Sequence, residues 1–371
     1  MANKTIKLYG VDRQYQNLKK EILDATDKVL SSGRVLDGAY TEAFELALAH
    51  RCGRKHAVTV NSATQGLIFA LMSAPAAQNS GVLIPSISYV ATVNAALFFS
   101  NKLMMCDIDS SGLIDLGTVE DPLANNTSVI MYANLFGNTV DWDRFQIMSG
   151  FFSNNSVYVI EDAAQSFGAS FNGVASGKMG DVSVFSFDPT KNLNNFGSGG
   201  MLLTDDERIA LTIRNLKDNG KYTAHEMAGS NSKMSEVDCA TMLIKLKHFD
   251  KWQSRRTEIA DYYTRELQGL VGVPITTSGT THAWSKYVIR TNNRNMLKKH
   301  LTYNDIESKI TYSRPLYFEY VAQKYTPMST DNETNWEAEK FTRECLSLPI
   351  YPELNDSEVE KIVKTIKEYF R

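Results

Sequence analysis

The chain alternates short apolar runs with helical patterns, and this alternation limits its possible folds more than any other feature of the sequence. The apolar runs lie at residues 55–60, 82–85, 102–108, 128–136, 157–160, 182–187 and 201–203. Helical patterns lie at residues 12–50, with breaks near 31–33 and 37–38, at 67–72, 90–99 and 207–217, and after 141. Short runs of this kind are typical of buried strands. Strands that alternate with helices predict an α/β fold with a mostly parallel central sheet.

The last part of the chain has a different pattern. A polar stretch at residues 218–233 predicts a long loop, and residues 237–267 form one long helical pattern that we expect to bridge to a second domain. Short strands and helices then follow, at residues 287–290, 295–300, 336–345 and 356–370. A chain of 371 residues is too long for one ordinary core. We therefore predict a large α/β domain at residues 1–267 and a smaller α+β domain at residues 268–371.

Composition excludes several classes of function. The formal net charge of −3 gives no electrostatic case for nucleic-acid binding. No apolar run approaches the length of a membrane span, and the first residues lack the apolar core of a signal peptide. The cysteines are far apart and form no CxxC pair, so we expect free thiols in a reducing compartment, at Cys52, Cys106, Cys239 and Cys345. These features predict a cytoplasmic protein with no metal site.

Lys191 follows directly after a predicted strand. Residues 182–187 are mostly apolar, Pro189 ends the strand because it cannot donate to a ladder, and a glycine-rich turn at 197–200 leads into the run at 201–203. Open α/β sheets bind their ligands just beyond the carboxyl ends of their strands. Desolvation there lowers the pKa of an ammonium group, and the neutral amine can form a Schiff base. A solvated surface lysine is the alternative that position alone leaves open.

A small polar turn at residues 61–66 joins a strand to a helix. Free amides and the helix dipole make such a turn an anion site. The turn lacks the lysine of a Walker loop, which argues against a nucleotide P-loop. A plain helix cap by Ser62 or Thr64 is the alternative.

Two further strand ends carry side chains that can bind a ligand. Tyr89 lies at a strand-to-helix turn, where it can stack on a flat ring or simply pack as an aromatic. Glu161 and Asp162 end another strand, followed by Gln165. The two acids can bind a metal, a ribose or a protonated ring nitrogen, or can form a solvated or helix-capping pair.

Successive strand ends therefore carry an anion loop, an aromatic ring, an acid pair with a glutamine, and a lysine. Pyridoxal phosphate needs this set: amides and hydroxyls for its phosphate, a flat partner for its ring, a carboxylate for its pyridine nitrogen and a lysine for its aldehyde. Each of these features alone is weak evidence for a site for this cofactor, but their order and spacing together indicate one much more strongly.

At these positions the sequence resembles the sugar aminotransferases of the DegT/DnrJ/StrS group, which have the fold-type I aminotransferase architecture. The most specific matches are residues 161–165 and the run Ser186, Phe187, Lys191, Gly199 and Gly200. The resemblance covers nearly the whole chain, and it implies a pyridoxal-phosphate-dependent transaminase.

The resemblance implies a role for each matched residue. Lys191 would form the Schiff base with the cofactor and move the proton between the donor's Cα and the cofactor. Asp162 would pair with the pyridinium nitrogen, and Gln165 would bond the ring hydroxyl. Tyr89 would stack on the ring.

The phosphate contacts and the partner subunit are implied in the same way. Ala63 and Thr64 would contact the phosphate, and Ser186 would add its hydroxyl. Asn231 would reach the phosphate of the neighbouring subunit's cofactor, so a complete site would need a homodimer. The implied substrates are an amino-acid donor, expected to be L-glutamate, and a nucleotide-linked keto deoxysugar. Deoxyamino sugars of this kind enter O-antigens and other polysaccharides.

Two details favour amination at C3 of the sugar over C4. Residues 189–193 resemble the PxKNLG run of the 3-aminotransferases, and residues 245–252 resemble their later helix. The chain departs from the family pattern at several positions. Asn194 replaces a usual glycine, Ser198 replaces a usual acid, and Lys233 replaces a usual arginine. Thr311 and Tyr312 stand where a His-Tyr pair is common. The alternatives are a C4 aminotransferase, a sugar dehydratase, whose members typically lack the lysine, and a regulatory protein that binds the cofactor without turnover.

Overall fold

The computed structural model describes residues 5–75, 81–100, 102–119, 127–151, 157–325 and 336–371. Its helices are α1 (Val11–Ser32), α2 (Ala39–Cys52), α3 (Ala63–Met72), α4 (Ala91–Phe99), α5 (Trp142–Phe151), α6 (Glu207–Lys217), α7 (Glu236–Leu267), α8 (Arg294–Tyr303), α9 (Tyr320–Tyr325), α10 (Trp336–Glu344) and α11 (Asp356–Tyr369). Its strands are β1 (His56–Val60), β2 (Gly81–Pro85), β3 (Leu103–Cys106), β4 (Thr127–Ala133), β5 (Tyr158–Asp162), β6 (Ser170–Phe171), β7 (Val174–Ala175), β8 (Val182–Ser186), β9 (Gly200–Thr204), β10 (Thr280–Thr281), β11 (Tyr287–Arg290) and β12 (Cys345–Leu348). In this described part of the chain, no helix is both long and apolar enough to cross a membrane.

The central sheet has seven strands in the described chain, in the order β1-β9-β8-β5-β4-β2-β3. Strands β8, β5, β4, β2 and β3 run parallel, and β9 runs antiparallel to both of its neighbours, β1 and β8. Strands β2, β5, β8 and β9 are buried along their whole length, as expected for a sheet covered by helices on both faces. The predicted α/β class with a mostly parallel sheet is confirmed.

The parallel strands bring the polar strand ends together at one edge of the sheet. In the β5–β8 pair, Asp162 lies opposite Val184, so both strands end at the same carboxyl edge. The loop that carries Lys191 leaves β8 at this edge, and the turn before α3 lies close to it. Open α/β sheets bind ligands at such an edge.

Gly200, at the start of β9, permits the close approach of α3 to the sheet. A Cβ atom at this position would lie 2.7 Å from the amide nitrogen of Ala63 and 2.8 Å from the carbonyl carbon of Ser62. Ser62 caps α3, and its hydroxyl accepts a hydrogen bond from the amide of Gln65 at 3.2 Å. The absence of a side chain at Gly200 thus lets the first turn of α3 lie directly against the strand.

A smaller unit surrounds β11 and β12, which pair antiparallel. Helix α7 contributes Cys239, Met242 and Phe249 to the cluster beside the central sheet, and Tyr263 and Leu267 to the cluster around the smaller sheet. The helix therefore packs against both units. The domain boundary after residue 267 stays a prediction.

A loop before β11 lies against the central sheet. Gly137 adopts φ +99°, and a Cβ there would lie 2.6 Å from the amide nitrogen of Trp284. The Gly137 carbonyl accepts a hydrogen bond from the Ala283 amide at 2.7 Å, and the Phe136 carbonyl accepts one from the Lys286 amide at 3.2 Å. These contacts bring residues 283–286 to the edge of the sheet where the polar strand ends lie.

Some element boundaries differ from those expected. The strand predicted at 128–136 ends at Ala133, because Phe136 takes the left-handed conformation with φ +63° in a short 3-10 turn. The helix predicted at 336–345 ends at Glu344, and Cys345 begins β12, which pairs with β11. The β6–β7 hairpin and helix α9 have no counterpart among the predicted elements.

Candidate active site

A cavity of about 400 Å³ opens at the carboxyl edge of the central sheet. Its lining contains all but one of the site residues predicted from the sequence: Ala63, Thr64, Tyr89, Asp162, Gln165, Ser186 and Lys191. The exception is Asn231, which is exposed and lies opposite Asp218 in an isolated bridge away from this lining. The sheet topology has therefore gathered these predicted residues from four separate segments of the chain around one space.

Lys191 enters the cavity from a tight turn after β8. The turn is held by Asp188, whose carbonyl accepts a hydrogen bond from the Lys191 amide at 2.9 Å and whose carboxylate accepts from the Thr190 amide at 2.9 Å. Burial lowers the pKa of the Lys191 ammonium, the negative charges of Asp162 and Asp188 partly counter this, and the charge of Lys309 adds to it. Lys191 therefore has the lowered pKa that a nucleophilic amine requires.

Asp162 is the acid of the Glu161–Asp162 pair that faces the cavity. Its Oδ1 accepts a hydrogen bond from the Ala164 amide at 3.1 Å, and its Oδ2 accepts a long one from the Thr92 hydroxyl at 3.5 Å. Burial raises the pKa of this carboxyl group, although the Ala164 amide and the charge of Lys191 oppose the shift. A buried carboxylate that accepts few hydrogen bonds from the protein favours a ligand with a cationic N–H group.

Glu161 points to the other face of β5, because successive strand residues alternate. Its carboxylate is fully buried and accepts hydrogen bonds, at 2.6–3.1 Å, from the side chains of Asn134, Ser176 and Ser183 and the amides of Gly177 and Met179. Glu161 thus ties β4, β5 and β8 to the loop between them. Of the acid pair, Glu161 therefore stabilises the fold, and Asp162 faces the cavity.

A metal is one of the ligands that the sequence left open for these two acids. Across the described residues, no group of three or more His, Cys, Asp or Glu side chains is arranged to hold a metal ion.

Gln165 is fixed in orientation by contacts with its neighbours. Its Oε1 accepts a hydrogen bond from the Phe136 amide at 3.1 Å, and its Nε2 donates to the Tyr312 hydroxyl at 2.8 Å. Burial raises the pKa of Tyr312, so this phenol stays protonated and its own hydrogen remains available as a donor. The pair presents amide and hydroxyl groups to one wall of the cavity.

The N-terminus of α3 forms another wall. The first amides of a helix have no intrahelical acceptor and carry the positive end of the helix dipole, so Ala63 and Thr64 offer an anion site. The Ser186 hydroxyl, which accepts from the Asp188 amide at 3.3 Å, lines the same cavity. Tyr89 lies at its mouth with 63% of its surface exposed.

The cavity also contains charged and phenolic groups that were not among the predicted site residues. They are Tyr9, Asp188, Lys286, Lys309 and Tyr312. Burial would raise the pKa of Asp188, but hydrogen bonds from Thr190 and the charges of Lys191 and Lys286 outweigh it and lower the pKa. Lys286 directly precedes the predicted strand at 287–290, and a charged residue next to a buried strand is the sequence signal that could have identified it.

The donor set of the cavity fits pyridoxal phosphate. An anion site, a buried carboxylate, a lysine of lowered pKa and an exposed aromatic ring surround one space. The fold and the site together define a pyridoxal-phosphate-dependent aminotransferase of the α/β class.

Comparison with known proteins identifies the family. Residues 16–367 match the DegT/DnrJ/EryC1/StrS aminotransferase family. The chain belongs to this family of pyridoxal-phosphate-dependent sugar aminotransferases, as its resemblance to the family predicted.

Individual relatives cover almost the whole chain. The "dTDP-3-amino-3,4,6-trideoxy-alpha-D-glucose transaminase" of Streptomyces venezuelae is 31% identical, over 96% of this chain and 93% of its own length. A "Pleiotropic regulatory protein" of Geobacillus stearothermophilus is 30% identical, over 99% of both chains. The solved structure of S. venezuelae DesV in complex with a ketimine intermediate has a TM-score of 0.93 and 30% identity, and covers 100% of this chain and 99% of its own. Because the matched family is one of aminotransferases, a purely regulatory role is not favoured.

Proposed function

We propose that this protein transfers an amino group from L-glutamate to the C3 keto group of a nucleotide-linked deoxysugar. The observation that carries the proposal is the shared cavity in which Lys191, Asp162 and the N-terminus of α3 meet. When bound, pyridoxal phosphate supplies an electron sink for the carbon that carries the transferred amine.

Each predicted site residue then has a defined role. The Lys191 amine would hold the cofactor covalently and would take the proton from the donor's Cα, because its lowered pKa keeps a neutral fraction available. Asp162 would pair with the protonated ring nitrogen, which would supply the cation that its buried carboxylate lacks. The amides of Ala63 and Thr64, with the Ser186 hydroxyl, hold the phosphate.

The ring is oriented by the remaining predicted residues. Gln165, held by the Phe136 amide and by Tyr312, bonds the ring hydroxyl. Tyr89, at the mouth of the cavity, would stack on the ring.

Amination at C3 is supported by the sequence and by one relative. Residues 189–193 and 245–252 resemble the corresponding runs of the 3-aminotransferases. The S. venezuelae transaminase is also named for a 3-amino sugar.

The working unit that we propose is a homodimer. Asn231 is exposed and lies outside the lining of its own cavity, so a contact with the cofactor phosphate would have to be made in the partner subunit. Lys233 forms a close ion pair with Asp218, which tethers the segment that carries Asn231 to the end of α6. An Asn231→Ala variant should therefore weaken cofactor binding in the dimer while leaving the folded monomer intact.

The proposal is tested by loading the purified protein with pyridoxal phosphate and adding L-glutamate. The absorbance band of the lysine-linked cofactor should shift as the amino group is taken up. A panel of 3-keto and 4-keto nucleotide sugars, varied in nucleotide, should then restore the band only with a 3-keto acceptor. Restoration by 4-keto acceptors alone would contradict the C3 assignment, and a band that does not respond to any amino acid would contradict transamination.

A further inference from the structure

Lys286 is a buried lysine whose role the aminotransferase assignment leaves open. Only 7% of its surface is exposed, and it lines the cavity that contains Lys191. Alternation along the chain puts Lys286 and Val288 on one face, and Val288 packs in the cluster with Phe136 and Tyr312. The side chain therefore lies at the junction of the small sheet and the central sheet.

Other buried lysines of the described chain have partners, and Lys286 does not. The Lys217 ammonium lies 3.5 Å from Glu45 and 3.6 Å from Asp37. The Lys245 ammonium donates to the Asn194 carbonyl at 2.7 Å and lies over the ring of Phe196.

Among the residues that the structure describes, no side chain lies within hydrogen-bonding or ion-pair distance of the Lys286 ammonium. Buried lysines are normally paired, because an unpaired buried charge is costly. An unpaired lysine in a ligand cavity is therefore explained by a ligand that supplies its partner.

The charges around the cavity favour an anionic ligand. Lys191, Lys286 and Lys309 line it, against the carboxylates Asp162 and Asp188. Asp162 is assigned to the cofactor, and the Asp188 carboxylate already accepts two hydrogen bonds from Thr190. Lys309 is fixed through its backbone, whose amide and carbonyl both bond to Ser347. Lys286 thus remains buried without a counter-charge, and the exposed Lys309 adds a second positive charge to the same cavity.

We propose that Lys286, with Lys309 beside it, forms a subsite for a substrate carboxylate. Lys191, Lys286 and Lys309 line the same cavity, and the charges of Lys191 and Lys309 lower the pKa of Lys286, so an anion bound at Lys286 shares this space with the carbon at which the amino group is exchanged. A carboxylate within a few bonds of the amine or keto carbon meets this condition, and a nucleotide diphosphate on the far side of a sugar ring does not.

Two substrates can supply the carboxylate: the amino-acid donor and a keto sugar that carries a carboxyl group. The identity of these two candidate ligands rests on the proposed transamination. The subsite itself rests on the positive charges of Lys286, which is unpaired, and Lys309.

The test compares Lys286→Met, Lys286→Arg and the control Lys299→Met, which removes an exposed lysine on α8. Loss of one charge-assisted hydrogen bond should raise KM for the substrate with the carboxylate by about 10- to 100-fold in Lys286→Met. Lys286→Arg should recover part of the loss, and the control should match the wild type. The absorbance band of the lysine-linked cofactor should persist in all three variants, so that a rise in KM confined to carboxylate substrates reflects lost binding and not a disrupted cofactor site.

Separate arms identify the source of the carboxylate. A rise in KM for L-glutamate assigns the subsite to the donor. A rise for a keto sugar with a C6 carboxylate, but not for its C6-methyl counterpart, assigns it to the acceptor. KM values within about twofold of the wild type for every substrate would overturn the proposal.

Binding of glutarate to the cofactor-loaded protein, measured by calorimetry, separates this proposal from the proposed function. Glutarate has carboxylates but no amine, so its binding needs no turnover. The wild type should bind it at least about tenfold more tightly than Lys286→Met, even if no tested sugar is a substrate. Equal binding by the two proteins, or no binding by either, would overturn the subsite.

Discussion

Gly200→Ala should weaken both the fold and the cofactor site, because the added methyl group has no space. Its Cβ would lie 2.7 Å from the Ala63 amide nitrogen, 2.8 Å from the Ser62 carbonyl carbon and 3.0 Å from the Phe185 carbonyl oxygen. All three atoms belong to backbone, which cannot rotate away as a flexible side chain can. Strand β9 and helix α3 must therefore move apart.

The size of the effect follows from the cost of overpacking. Inserting a methyl group into a well-packed interior costs about 1–3 kcal/mol of unfolding free energy. The shift also displaces the amides of Ala63 and Thr64, so the dissociation constant of pyridoxal phosphate should rise by about tenfold or more. Urea unfolding of the cofactor-free protein measures the first quantity, and a fluorescence titration with the cofactor measures the second.

Gly197→Ala is the matched control in the same turn. A Cβ at Gly197 would lie 3.5 Å from the nearest atom, the Asn195 side-chain nitrogen, which is ordinary contact. This variant should keep its stability within about 0.5 kcal/mol and bind the cofactor normally. Equal behaviour of the two alanine variants would refute the claim that close packing at Gly200 positions the anion site.

Three further predictions concern single side chains. Lys191→Ala should abolish both transamination and the absorbance band of the lysine-linked cofactor, and any retained turnover would contradict its assigned role. Asp162→Asn keeps the side-chain volume but removes the charge, so kcat should fall about 100-fold or more, measured in the half-reaction with L-glutamate; an unchanged kcat would contradict the pairing with the ring nitrogen. Burial lowers the pKa of Lys245 to about 7 in the folded protein, below its value in the unfolded chain. Between about pH 7 and about pH 10 the unfolded chain therefore binds more protons than the folded protein, and the free energy of unfolding should rise with pH across this window. Lys245→Met should lose this rise in urea unfolding at about pH 7 and pH 9.5, and an identical pH dependence in both proteins would count against the lowered pKa.

Much of the site could be predicted from the sequence because it lies on strand ends. Buried strands appear as apolar runs, and parallel strands all end at one edge of a sheet. Residues just beyond these runs, such as Tyr89, Asp162 and Lys191, were therefore expected to meet, and they line one cavity. The fold class followed from the same pattern of alternation.

Other features depend on packing that no local pattern reveals. The residue pattern alone did not decide which acid of the 161–162 pair faces the ligand, because that choice depends on the orientation of β5 against its neighbours; only the family resemblance implied Asp162. Lys286 reaches the cavity only through the contacts of residues 283–286 with the Phe136–Gly137 turn. Both depend on long-range contacts, which a single sequence does not specify.

The missed strand β12 has a similar cause. The run at 336–345 has helical composition, but Cys345 already pairs with Arg290 of β11. Tertiary pairing here overrides the local helical preference, as short strands often require.

The central claim is tested most directly by trapping the cofactor on its lysine. The protein is loaded with pyridoxal phosphate and reduced with borohydride, which makes the link permanent, and the peptides are mapped by mass spectrometry. The label should fall on the peptide that contains Lys191 and should disappear in Lys191→Ala. A label on Lys286, the other buried lysine of the cavity, or no label on any lysine would contradict the assignment of Lys191 as the residue that anchors the cofactor.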